Sequence, residues 1–165
     1  MTVADRIGVM DQGRLVQVAT PPEIYEQPSS RWVADFIGDV NLIEGRVLDA
    51  GQGGTTIMSA AAGKLHAAAA TQASAGATAW IAVRPEKVRI SHQPEAAGGA
   101  VNCVAGQVMD IGYLGDVSIY KVRLDGGFVV KAAAHNMTRL IERPFAVNER
   151  VWLSWAPEAG VVLTR

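Results

Sequence analysis

The chain has 165 residues, 49% of them hydrophobic and 19% charged, with a formal net charge of −1. That is enough apolar material for one domain or two small ones, too little charge for disorder, and no basic field of the kind a nucleic-acid partner requires. No apolar run approaches the ~20 residues of a membrane-spanning helix. The start carries no signal-peptide pattern, and the lone Cys103 excludes an internal disulfide and a multi-cysteine metal site, so a cytoplasmic setting is expected.

Residues 6 to 19 read as a β-hairpin. Ile7-Gly8-Val9-Met10 and Leu15-Val16-Gln17-Val18 are strand-like runs separated by Asp11-Gln12-Gly13. Thr20 then suits a helix N-cap, Pro21 the first helical position, and Glu23 the third, which completes a capping box. Pro28 bars continuation of that helix. Ser29 or Ser30 caps a second one, with Trp32, Val33, Phe36 and Ile37 expected on one face, an Arg31–Asp35 pair on the other, and Gly38 as its stop.

From Asn41 onward the pattern is β. Asn41-Leu42-Ile43-Glu44-Gly45-Arg46-Val47-Leu48-Asp49-Ala50-Gly51 aligns with Asn102-Cys103-Val104-Ala105-Gly106-Gln107-Val108-Met109-Asp110-Ile111-Gly112. Asn, Gly, Val, Asp and Gly recur at the same relative positions, which fits either duplication of one strand unit or chance recurrence in a β-rich chain. The glycine inside each strand is expected to mark a bulge or bend. Residues 59 to 79 are Ala-rich without large apolar side chains at a helical period, and read as short strands and loops. Trp80-Ile81-Ala82-Val83 is a strand that stops at Arg84-Pro85-Glu86, and Val88-Arg89-Ile90 is expected to resume it. Residues 94 to 99 form a connector. Val117 to Leu124, an Asp125-Gly126 turn and Phe128 to Ala132 form a hairpin. Residues 137 to 141 suit one helical turn. Val151 to Trp155 and Val161 to Leu163 are the final strands, around Pro157 and Gly160. The fold expected is mainly β, an OB-like barrel with a possible duplication, preceded by two short connector helices.

Two sets of residues resemble a known family. Ala4-Asp5-Arg6-Ile7-Gly8-Val9-Met10 with Gly13-Arg14, then Thr20-Pro21-Pro22-Glu23-Ile24-Tyr25 and Phe36-Ile37-Gly38, resemble the end of the ATPase domain in ATP-binding subunits of ABC importers. Arg84-Pro85-Glu86, Tyr113-Leu114-Gly115 with Tyr120, and Leu153-Ser154-Trp155-Ala156-Pro157 resemble the transport-associated OB domain that follows it, most closely in polyamine importers of putrescine or spermidine type. The resemblance covers nearly the whole chain except residues 52 to 79. It implies that residues 1–38 are the remnant of the ATPase domain and a helical connector, and that residues 39–165 are a regulatory and dimerisation domain. In such a subunit ATP and Mg belong to the ATPase domain, upstream of this piece. The partners implied are a second copy, as a homodimer, and membrane permease subunits met through the ATPase domain. The implied location is the inner face of the cell membrane, without insertion into it. A hairpin separated from its ATPase sheet is then expected to be disordered, packed on a second copy, or exchanged between chains.

No cofactor or metal site is expected in this piece. A phosphate-cradling loop needs two glycines five apart followed by Lys and then Ser or Thr. Gly63-Lys64 is followed by Leu65 and preceded five positions earlier by Met58, and Gly51-Gln52-Gly53-Gly54 has no lysine after it. No Asp-Glu pair follows an apolar strand, so catalysis of ATP hydrolysis is not expected. His66, His92 and His135 lack ligand-like spacing. The candidate interaction residues are Arg84, Pro85, Glu86, Tyr113, Asp116 and Tyr120. Read as structure alone, Pro85 ends a strand and Arg84 pairs with a nearby carboxylate; read as function, the turn meets the ATPase domain or a regulatory ligand. Two alternatives stand beside the dimerisation module. One is a polyamine or oxyanion sensor, with Asp110, Asp116, Asp125, Tyr113 and Tyr120 as candidate ligands. The other is an OB-fold nucleic-acid binder, disfavoured by the charge balance and by the absence of a basic groove around Trp80, Trp152 and Trp155.

Overall fold

The computed structural model describes residues 3–95, 101–136 and 145–165. The helical turn expected at 137–141 and most of the 94–99 connector lie outside them.

The N-terminal hairpin forms as expected, β1 (Ile7–Asp11) against β2 (Arg14–Ala19). Its two-residue turn puts both Gln12 and Gly13 at positive φ, +45° and +78°, matching the twist of the strands it joins. Helix α1 (Pro21–Glu26) starts where Thr20 and Pro21 place it. The Glu23 carboxylate turns back to accept from the Thr20 N–H at 2.9 Å and its hydroxyl at 2.7 Å. Helix α2 (Arg31–Ile37) is capped by Ser30, whose Oγ accepts from the Val33 N–H at 3.2 Å. Val9 packs against Ile24 of α1 and Val33 of α2.

The inward face of α2 differs from the expected one. Val33 and Ala34 are buried, while Trp32 and Phe36 stack on each other, ring centroids 5.0 Å apart, on the solvent side. Arg31 lies 3.7 Å over the Trp80 ring rather than against Asp35. The reason is geometric. Ala34, the smallest side chain on the helix, lets its backbone approach Ala82 and Leu163 on the sheet below.

Among the described residues, ten further strands make two five-stranded sheets. Sheet 1 contains β3 (Asn41–Gly51), β4 (Gly54–Ser59), β5 (Gly63–Ala67), β6 (Thr78–Val83) and β12 (Gly160–Leu163), in the order β12-β6-β3-β4-β5. Sheet 2 contains β7 (Arg89–Ser91), β8 (Asn102–Tyr113), β9 (Val117–Leu124), β10 (Val129–His135) and β11 (Arg150–Trp155), in the order β10-β9-β8-β11-β7. These are two copies of one unit with their last strands exchanged. Half 1 runs β3 to β7 and gives β7 to sheet 2; half 2 runs β8 to β12 and gives β12 to sheet 1. So β7 does not resume β6, as the sequence led us to expect. A 3₁₀ turn at Pro85–Lys87 carries the chain across to the other sheet, and its counterpart at Pro157–Ala159 carries it back.

The registers make the correspondence residue by residue. Val47 sits opposite Ile57, which sits opposite Leu65; Val108 sits opposite Val122, which sits opposite Val130. Ile43 pairs with Ile81 and Val104 with Leu153. All ten side chains are buried in one core between the sheets. The glycine of the repeat does not itself mark the bulge. The extra residue is Leu48 in one half and Met109 in the other. Gly45 and Gly106 instead permit close approach, since a Cβ on Gly106 would stand 2.6 Å from the Arg123 carbonyl oxygen and one on Gly45 2.8 Å from that of Met58. The repeated asparagine clamps one sheet to the other. Asn41 Nδ2 donates to the Lys131 carbonyl at 2.9 Å and its Oδ1 accepts from the Lys131 N–H at 2.7 Å. Asn102 does the same to His66, at 2.8 and 2.7 Å.

Candidate functional site

The Arg84-Pro85-Glu86-Lys87 turn holds the helical connector on sheet 1. Arg84 follows directly on β6 and is 5% exposed. Its Nη1 donates to the carbonyls of Ala34 (3.0 Å), Gly38 (2.8 Å) and Asp39 (3.1 Å), and its Nη2 to that of Tyr25 (3.2 Å). These are carbonyls at the C-terminal ends of α2 and α1, groups that a helix leaves without intrahelical partners. A cation there also meets the negative end of each helix dipole. The guanidinium lies 4.2 Å over the Tyr25 ring. Arg84 therefore serves carbonyls and a ring, not the carboxylate expected for it.

Pro85 is buried and starts the 3₁₀ turn, which presents Glu86 and Lys87 to the same helix. The Tyr25 hydroxyl donates to Glu86, and Lys87 pairs with Glu26. Burial first, then the hydrogen bond to Glu86 and its negative charge, push the Tyr25 phenol up to about 12. The clasp is extended by Gln17 of the hairpin, which bonds the Gln27 carbonyl at 2.9 Å and the Ser29 N–H at 2.8 Å. The Arg31 N–H donates to the Arg165 carbonyl at 2.9 Å, tying α2 to the residues after β12.

The other three candidates do not join this cluster. Tyr113 and Asp116 lie at the exposed tip between β8 and β9, where Leu114 is also exposed. Asn136 braces that tip: its Nδ2 donates to the Gly115 carbonyl at 2.8 Å, its N–H to that of Asp116 at 2.7 Å, and its Oδ1 accepts from the Ser118 hydroxyl at 2.8 Å. Tyr120 is 1% exposed and belongs to the core, edge-on to Phe145 at 5.5 Å. Its phenol is raised mainly by burial. The carboxylates proposed for a cationic ligand do not converge. Asp110 pairs with Lys121 at 2.9 Å and Asp125 with Arg150 through two bonds of 2.7 Å. Those cations, rather than any shared site, hold both carboxyls below the usual range.

Among the described residues no group of three or more His, Cys, Asp or Glu is placed to hold a metal ion, and no helix is long and apolar enough to cross a membrane. A groove of about 560 Å³ on the outer face of sheet 1 is lined by Leu42, Glu44, Met58, Trp80 and Phe128 among others. No local signal announces it, because its walls come from strands and turns far apart in the chain. The hairpin's outer face is apolar and open, with Met10 58% and Leu15 61% exposed beside Val16 and Val18.

The TOBE domain family matches residues 81–163, half of the chain, and the chain belongs to that family. The match begins on β6 and so takes in β7, the strand that half 1 lends to sheet 2. The chain is similar to the putrescine transport ATP-binding protein PotG of Escherichia coli, 36% identical over 167 residues, covering 99% of this chain and 43% of that protein. It is 37% identical over 167 residues to the spermidine/putrescine import ATP-binding protein PotA of Rubrobacter xylanophilus, covering 99% of this chain and 42% of that one. The chain thus spans less than half the length of these curated relatives. Among solved structures, the cytoplasmic molybdate-binding protein ModG shares the fold, with a TM-score of 0.66 at 15% identity over 84% of this chain and 99% of that one.

Proposed function

We propose that this chain acts as the C-terminal regulatory and dimerisation part of the ATP-binding subunit of an ABC importer for polyamines, and is itself non-catalytic. Residues 1–38 are read as the last ATPase hairpin and its connector, and residues 39–165 as the transport-associated domain. In the whole subunit ATP and Mg would bind outside this span, the permease subunits would be met through the ATPase domain, and the assembly would sit at the inner face of the cell membrane.

The observation that carries this reading is similarity to putrescine and spermidine import ATP-binding proteins over 99% of the chain. The hairpin supports it. Its inner face is covered by α1 and α2, while Met10, Leu15, Val16 and Val18 form an apolar outer face suited to packing on a further layer. The role proposed for the β-body is to keep two ATPase domains near each other as they open and close. A tethered partner needs little added affinity per cycle, because its effective concentration is already high. A stable contact between two copies would bury about 1,200–2,000 Å² in total.

Sedimentation equilibrium over a broad concentration range tests the dimer. Self-association is expected, and a monomer throughout would remove the dimerisation half of the reading. Of the two alternatives, the ligand sensor is weakened by Asp110 and Asp125 being committed to Lys121 and Arg150. The nucleic-acid binder is weakened by the net charge of −1.

A further inference from the structure

The two sheets share one strand topology, yet the connector sits on only one of them. The registers identify the counterparts of its docking residues. Ala82 corresponds to Ser154, since each is paired with the residue after its half's clamping asparagine. Leu163 corresponds to Ser91, opposite Trp80 and Trp152 respectively. Arg84, two residues past Ala82, corresponds to Ala156. Sheet 2 therefore offers hydroxyls where α2 needs an apolar seat, and a methyl group where the guanidinium would be. Ser154 is in addition occupied by Glu95, 2.6 Å from its Oγ. The fold supplies two equivalent faces, and the side chains leave only one fit for the connector.

We propose that Arg84 is the positioning residue that fixes the connector to sheet 1 and so sets the direction in which the open face of the β1–β2 hairpin points. The warrant is convergence. One buried guanidinium gathers carbonyls from the C-terminal ends of both helices, three from α2 and the residues after it and one from α1. The apolar contacts around it are small and slidable by comparison, with Ala34 against Ala82 and Leu163. Those contacts hold α2 near the sheet; the directional bonds fix its angle. The hairpin follows, because Val9 is packed on both helices and Gln17 is bonded to the segment between them. A second consequence is asymmetry. Whatever binds the hairpin is coupled to sheet 1, and the outer face of sheet 2 is left to make other contacts. That consequence for a transporter subunit rests on the function proposed above; the clasp does not.

The test needs no partner and reads the clasp alone. Amide hydrogen exchange is compared between the parent chain, Arg84→Met and Arg84→Lys. In Arg84→Met, protection over residues 21–38 should fall by about tenfold or more, since four charge-assisted bonds are lost. Protection of β3, β4, β8 and β9 should not change. A distance measurement between spin labels at Arg14→Cys and Lys64→Cys, in a Cys103→Ser background, should pass from one narrow distribution to a broad one. A control pair at Lys64→Cys and Arg123→Cys should stay narrow. Arg84→Lys keeps the charge and stem but loses the fork; it should show a smaller loss confined to the connector, and it stands in if Arg84→Met does not fold. Parent-like connector protection in either variant would overturn the proposal. So would loss of protection spread evenly over both sheets, which would make Arg84 a core residue and nothing more.

Discussion

Removing the Asn102 side chain is the sharpest test of how the two halves are joined. Asn102 is 5% exposed, and its amide satisfies both backbone groups of His66 on the opposite sheet. Asn102→Ala removes two hydrogen bonds and leaves an N–H and a C=O in a part-buried seam. A buried polar group left unpaired costs about 1–3 kcal/mol, so with two groups orphaned the substitution should cost about 2–6 kcal/mol in all. That is a large share of the ~5–15 kcal/mol that stabilises a typical domain. Asn41→Ala should cost a similar amount, because its amide makes the same pair of bonds to Lys131. Urea unfolding followed by tryptophan fluorescence reads both. Asn102→Asp adds a sign test. The carboxylate still accepts from the His66 N–H but turns a negative oxygen toward the His66 carbonyl. Its folded-state pKa is then raised, so the variant should be as unstable as Asn102→Ala near neutral pH and regain stability as pH falls and the carboxyl protonates. The reasoning is refuted if both alanine variants lose less than about 0.5 kcal/mol, within the range of ordinary surface substitutions, or if Asn102→Asp is harmless at neutral pH.

Other expectations follow from the same contacts. Gly106→Ala would drive a methyl group to 2.6 Å from the Arg123 carbonyl, and Gly45→Ala one to 2.8 Å from that of Met58; each should lose about 1–3 kcal/mol by overpacking, seen as a lower urea midpoint. Tyr25 should ionise near pH 12 rather than 10, so its contribution to stability is complete below pH 10 and is lost as pH rises toward 12. Near-ultraviolet titration of the chain, with Tyr25→Phe as control, should show one of the three tyrosines leaving the late part of the curve. Met10→Lys with Leu15→Lys should leave the urea midpoint of the β-body within about 0.5 kcal/mol of the parent, because these side chains face solvent; a large loss would mean that the hairpin's outer face is structural.

The elements readable in the sequence were those whose signals are local. Thr20, Pro21 and Glu23 announce α1 because a capping box acts within four residues. The echo of Asn41 in Asn102 was visible because Asn, Gly, Val and Asp recur at one fixed offset of 61 residues along β3 and β8. Beyond those strands the offset grows, to 65 between Ile57 and Val122 and to 72 between Ile81 and Leu153, since the intervening loops differ in length. The rest of the duplication was therefore hidden. The strand exchange left no mark either. Arg84-Pro85-Glu86 interrupts a hydrophobic run in the same way whether the chain resumes its own sheet or crosses to another. On α2, seven residues are too few for periodicity to choose a face, and the small Ala34 won over the larger Trp32 and Phe36 because close approach to Ala82 required it. Of the candidate interaction residues, Arg84 and Glu86 converge on Tyr25 and the helix ends, which no spacing rule connects. Tyr120 was misjudged because alternation along β9 gives it the inward face.

On the function proposed above, the chain holds, spaces or orients other parts and carries out no nucleotide chemistry of its own. Incubation of the purified 165-residue chain with ATP and Mg, followed by phosphate release, tests it most directly. Release at the rate of buffer alone is the predicted result; turnover that copurifies with the chain and scales with its concentration would contradict it.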